Sequence, residues 1–169
     1  MKKLYVAGGC FWCISDYFLM QDGVEDVTCG YSGGQERDAT YKDVKAQKTG
    51  HRETIEIVYD ENIVSLDKLL DYYFNYVDVL DDNGQSIDRG HSYSLALYYQ
   101  DENEKLAFAQ RKEKTEKELK KPIFLAVEPF LFFIPAEPEH QYFSLKNPEE
   151  FEEELIASNR LDHLNQKKQ

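Results

Sequence analysis

A two-layer α+β sandwich is the fold class the chain predicts, on three observations. Strand-like and helical stretches alternate without an internal repeat, linker or low-complexity block, and the helical stretches carry their apolar residues on one stripe. The 169-residue length suits one compact core burying roughly 70% of the unfolded surface. Residues 1–169 are therefore read as a single domain, with about 4–150 as core and 151–169 as a C-terminal helix and frayed tail.

Residues 4–7 are a short apolar run ended by Gly8-Gly9, and Phe11, Ile14, Phe18 and Leu19 then recur at helical spacing. This reads as strand, tight turn and helix, with Cys10 in the first helical turn. Residues 24–30 are strand-like, Gly30-Tyr31-Ser32-Gly33-Gly34 is a loop, and residues 53–59 alternate as a half-buried strand. Ser65 caps a helix whose Leu66, Leu69, Leu70, Tyr73 and Phe74 form one stripe. A loop over about 78–91 leads to a strand at 95–99, and Asp101 with Glu104 opens a charged helix that Pro122 stops. Residues 123–127 and 131–134 are strand candidates, and Asn147, Pro148 and Glu149-Glu150 start a last helix. In sequence order this is a ferredoxin-like split βαβ core with a C-terminal extension.

Composition narrows the function classes. With 20 Lys+Arg against 32 Asp+Glu the net charge is −12, which argues against broad binding to nucleic acid or anionic lipid. No apolar run approaches the ~20 residues of a membrane span. The apolar stretch after Lys2-Lys3 is shorter than the ~7 to 15 residues a signal needs, so the protein is expected in the cytoplasm. The three cysteines, Cys10, Cys13 and Cys29, are crowded at one end and cannot staple the domain, which favours a reducing compartment and thiols kept for reactivity.

Gly8-Gly9-Cys10-Phe11-Trp12-Cys13 carries the chemistry. A cysteine in a helix's first turn faces unpaired N–H groups and the positive dipole end, which stabilise a thiolate. Phe11 and Trp12 are read as walls of a small apolar cup for a methyl or thioether group. The same walls would exclude water, desolvate a nearby carboxylic acid and keep it protonated as a proton donor. Residues three apart on a helix share a face, so Cys13 is the thiol placed to close a disulfide with Cys10. Cys29 is the alternative, since in an extended strand it points to the same side as Tyr31. The separations of His51, His91, His140 and His163 match no zinc pattern, and the glutamates at 149–154 read as a solvated helix face.

Gly8-Gly9-Cys10-Phe11-Trp12 near the N-terminus resembles the active-site signature of the peptide methionine sulfoxide reductase A family. Further blocks follow in order: Gly30 to Gly34, Thr40-Tyr41, Gly50-His51 with Glu53, Gln85 with Asp88-Arg89-Gly90 and Tyr93, Pro135-Ala136-Glu137, His140-Gln141 and Lys146-Asn147-Pro148. The resemblance covers about residues 4–150. It implies that Cys10 attacks the sulfoxide sulfur, that Glu53 protonates the oxygen, and that Tyr31, Asp88 and Tyr93 orient substrate and water. The implied reaction returns the S epimer of methionine sulfoxide, free or in proteins, to methionine, with no cofactor or metal and with thioredoxin or a similar dithiol as reductant. A monomer is expected. The chain departs from the family pattern with Cys13 and Ser15 after the signature, Val77 to Leu80 in one loop, Ile87, Ser94, and no cysteine beyond Cys29. Two rival readings are a thioredoxin-like dithiol-disulfide oxidoreductase, from the Cys-x-x-Cys spacing, and a non-catalytic metal-binding module.

Overall fold

A computed structural model of the chain describes residues 1–161. Its first half runs β1 (Lys2–Gly8), α1 (Phe11–Leu19), β2 (Val24–Ser32), α2 (Tyr41–Lys45), β3 (Arg52–Tyr59) and α3 (Leu66–Tyr76). A short hairpin of β4 (Gly84–Gln85) and β5 (Asp88–Arg89) follows, then β6 (Leu95–Tyr99), α4 (Glu102–Leu119) and β7 (Leu125–Pro129). The chain continues through β8 (Ile134–Pro135), α5 (Phe143–Lys146) and α6 (Pro148–Ala157). The frayed tail expected at the C-terminus falls on residues 162–169, outside the described residues.

Six strands form one sheet in the order β7-β6-β1-β3-β2-β8. Its central four, β6-β1-β3-β2, are antiparallel throughout and have the ferredoxin-like arrangement, while β7 adds in parallel outside β6. The period of two sorts the side chains. Leu4, Val6, Ile55, Ile57, Leu95 and Leu97 face a core closed by Phe11, Ile14 and Phe18 of α1, Leu69, Leu70 and Tyr73 of α3, and Phe108 of α4. Tyr5, Ala7, Ala96 and Tyr98 point to the opposite face.

That opposite face corrects one expectation. Of residues 131–134 only Ile134 is strand, where β8 begins; the chain leaves β7 at one edge and reaches β8 at the other by crossing the sheet. A segment running across strands cannot join their ladders, so its groups find other partners. Phe130 stacks on Tyr5 at 4.0 Å between ring centroids, Phe133 tilts against the same ring at 5.5 Å, and Ser32 Oγ donates to the Phe132 carbonyl at 2.9 Å.

Two smaller differences bear on the site. The loop expected after residue 30 is still strand to Ser32, because Tyr31 and Ser32 pair with Glu53 and Arg52. The short α2 is set by a capping box in which Thr40 Oγ1 accepts from the Asp43 N–H while Asp43 accepts from the Thr40 N–H.

Candidate active site

β1 ends in Gly8-Gly9, and Gly9 adopts φ +86°, a conformation that favours glycine. A Cβ there would also sit 2.9 Å from Gln85 Cβ, so the turn into α1 is closed to any other residue. Cys10 occupies the N-cap, with its side chain making no capping bond. The first amide of the helix, Phe11 N–H, donates instead to Glu53 Oε1 at 3.0 Å. β3 delivers Glu53 to this point through its pairing opposite Tyr31 on β2.

This arrangement corrects the expected thiolate at Cys10. The helix terminus spends its donor on Glu53, and the Cys10 thiol is held well above its ordinary range by its hydrogen bond with Cys13, then by burial, with charge on Cys13, Glu53 and Asp88 adding. The resting sulfur is a protonated thiol. Glu53 is 2% exposed, and burial pushes its carboxyl up to about 8 against the opposing Phe11 N–H bond; Asp88 adds to the rise while Lys45 and Arg160 oppose it. At neutral pH it is a carboxylic acid able to donate a proton.

Cys10 and Glu53 open onto a cavity of about 250 Å³ walled by Phe11, Trp12, Tyr41 and Tyr93, with Asp88, Lys45, Glu150 and Glu154 completing its lining. A larger cleft of about 490 Å³ lies between α3 and α4, but it is lined by no cysteine. The aromatic walls are fixed from behind. Trp12 stacks on Phe143 at 3.8 Å and donates through Nε1 to His140 Nδ1 at 3.1 Å, while the Phe11 ring contacts Tyr41 and His140.

The expected residues divide as follows. Cys10, Glu53, Phe11, Trp12, Asp88 and Tyr93 all line the one cavity. Tyr31 does not. It is fully buried and donates its hydroxyl to Glu137 Oε1 at 2.9 Å, so the role assigned to it as a substrate-orienting hydroxyl is corrected. Tyr41, at the start of α2, supplies the second phenol of the cavity beside Tyr93. Burial first, then the acids around the cavity, raise both of these phenols, which therefore stay protonated as donors. The Thr40-Tyr41 pair was the available signal, but nothing local separates one tyrosine from another.

Cys13 and Cys29 are both buried behind the cavity, each 1% exposed. Cys13 lies within hydrogen-bonding contact of Cys10. Cys29 donates to the Phe11 carbonyl at 3.4 Å, and burial pushes its thiol up to about 12. His51 braces the approach to Glu53: its Nδ1 accepts from Gly34 N–H at 3.0 Å, which leaves Nε2–H to donate to the Glu36 carbonyl at 2.6 Å. Among the described residues one group has metal-ligand spacing, Cys10, Asp88 and Glu154, with ligand atoms within 4.8 Å of one another. All three line the cavity. Glu154 and Glu150 show that the acidic run of α6 is not solely a solvated face.

A cysteine and a buried, protonated acid opening on one small, aromatic-walled space suit thiol-dependent redox chemistry. The family model described as peptide methionine sulfoxide reductase matches residues 2–169. Over 152 residues the chain is 41% identical to peptide methionine sulfoxide reductase MsrA 2 of Staphylococcus aureus strain Mu50, across 88% of this chain and 86% of the relative. Among solved structures, Mxr1 from Saccharomyces cerevisiae in reduced form is similar with a TM-score of 0.82 and 28% identity, across 88% of this chain and 86% of that one. Mxr1 in complex with Trx2 shares the fold at a TM-score of 0.56 and 20% identity, across 82% and 83% of the two chains. The chain belongs to the peptide methionine sulfoxide reductase family. Its activity is the thiol-dependent reduction of methionine S-sulfoxide to methionine, and the thioredoxin-like and metal-module readings fall away.

Proposed function

We propose that Cys10 is the nucleophile and Glu53 the proton donor of this reductase. The observation that carries the reading is that both groups reach one cavity while the Phe11 amide pins Glu53 at the helix start beside Cys10. The Cys10 sulfur bonds to the sulfoxide sulfur as Glu53 gives its proton to the oxygen, and the Cys10 thiol proton restores Glu53. The methionine S–O bond and the S–S bond between Cys10 and methionine then break as the hydroxyl bonds to the Cys10 sulfur, so methionine leaves and Cys10 becomes a sulfenic acid. Phe11 and Trp12 hold the methyl group, and the Tyr41 and Tyr93 hydroxyls with Asp88 orient the oxygen and water.

The second half of the cycle is assigned to Cys13. Its thiol attacks the sulfenic sulfur, an S–S bond replaces the S–O bond, and the hydroxyl departs as water with the Cys13 proton. Contact with Cys10 supports Cys13, whereas the Cys29 thiol is turned to the Phe11 carbonyl at 3.4 Å. Thioredoxin or a similar dithiol reduces the disulfide, a reading supported by the yeast relative's complex with Trx2. The cavity residues come from one domain, and the three cysteines, set close together and buried, read as thiols kept for reactivity in a reducing cytoplasm. Turnover of the separated sulfoxide epimers with dithiothreitol tests the assignment: the S epimer alone should be consumed, and equal use of both would refute it.

A further inference from the structure

Arg160 belongs to none of the motifs discussed, yet it is 6% exposed and ends between the hairpin and α1. Its Nη1 donates to Asp88 Oδ2 at 3.0 Å and to Cys13 Sγ at 3.7 Å, and its Nη2 donates to the Gln85 carbonyl at 3.3 Å. Local structure sends it there. After Ala157 ends α6, Asn159 takes the left-handed conformation at φ +57°, and its N–H bonds the Ile156 carbonyl at 3.2 Å while Arg160 N–H bonds the Leu155 carbonyl at 2.9 Å. This paired closure reverses the chain and turns residue 160 inward. Ser86 Oγ, donating to the Ser158 carbonyl at 2.7 Å, ties the reversal to the β4–β5 hairpin.

A guanidinium keeps its charge in any protein environment. Burial here works against that charge, but Tyr76, Cys13, Cys10 and Asp88 outweigh it. Cys13 is buried too deeply for water to stabilise negative charge on its sulfur, and Arg160 is the cation that bonds it.

We propose that Arg160 is a catalytic residue of the disulfide-forming step, stabilising the negative charge on the Cys13 sulfur as it attacks the Cys10 sulfenic acid, with Asp88 and the Gln85 carbonyl fixing the guanidinium. The proposal rests on Cys13 as the resolving thiol. Arg160 gives up no proton: the S–S bond forms, the Cys10 S–O bond breaks, and water carries off the hydroxyl and the Cys13 proton. A charge-assisted bond of this kind corresponds to about 10- to 100-fold in rate.

The experiment mixes wild type, Arg160→Met, Arg160→Lys and Cys13→Ser with one equivalent of methionine S-sulfoxide without reductant. Methionine release, sulfenic acid trapped by a dimedone probe and disulfide found by peptide mapping are followed together. In Arg160→Met, disulfide closure should lag methionine release by about 10- to 100-fold more than in wild type, with sulfenic acid accumulating, and Arg160→Lys should recover part of the loss. A wild-type ratio of the two rates in Arg160→Met would overturn the proposal, as would equal behaviour of the Met and Lys variants. Cys13→Ser separates the two layers. If it blocks closure while Arg160→Met does not, Arg160 alone loses its role; if it still closes a disulfide at the wild-type rate, the assignment of Cys13 fails and takes the proposal with it.

Discussion

Replacing Glu53 by Gln should make the protein more stable and less active at once. The amide is nearly isosteric and its oxygen can still accept from Phe11 N–H, but it has no proton to give. In the unfolded chain this carboxyl ionises at its ordinary 4.5, whereas in the fold burial raises it to about 8. Between those values the folded protein holds a proton that the unfolded chain has released, so wild-type stability falls as pH rises from 4.5 to about 8 and is flat beyond. At pH 7 the interval above 4.5, at about 1.36 kcal/mol per pH unit, amounts to about 3 kcal/mol. Allowing about 1 kcal/mol for an amide NH₂ without a partner, Glu53→Gln should gain about 2 kcal/mol at pH 7 and be about 1 kcal/mol less stable than wild type below pH 4.5. Urea unfolding across this pH range reads the gain. Single-turnover reduction should meanwhile drop by about 10²- to 10⁴-fold, and the wild-type decline above pH 8 should be absent from the variant. A variant no more stable than wild type at pH 7, or equally stabilised at pH 4.5, would refute the buried, protonated acid.

Two further outcomes test the surrounding groups. After one equivalent of sulfoxide, Cys29→Ser should still form a disulfide and sustain thioredoxin-driven turnover while Cys13→Ser does neither, as judged by peptide mapping; the reverse result would make Cys29 the resolving thiol. Tyr41→Phe should lower kcat/KM by about 10-fold through loss of a hydroxyl on the cavity wall, whereas Tyr31→Phe should leave it within about 3-fold and instead lose about 1 kcal/mol of stability with its bond to Glu137.

The sequence alone determined whatever depends on short-range pattern. The apolar run before Gly8-Gly9, the stripe from Leu66 to Phe74 and the Asn147-Pro148 start each became the element expected, because local geometry fixes which neighbours along the chain share a face. Cys10 and Glu53 were legible through ordered motifs, and Gly9 through the turn that requires it. Only the tertiary structure decided what depends on pairs distant along the chain. Tyr31 and Tyr41 look alike locally, and the choice between them came from which hydroxyl Glu137 occupies. The segment over residues 131–134 reads as a strand until β7 and β8 lie at opposite sheet edges, which forces most of it across the face. The protonation of Cys10 and Glu53 follows from burial and from neighbours brought in by β3, the hairpin and α6, and Arg160 reaches Cys13 across 147 residues of chain. Desolvation and Coulomb interaction act through space, so no reading of local pattern contains them.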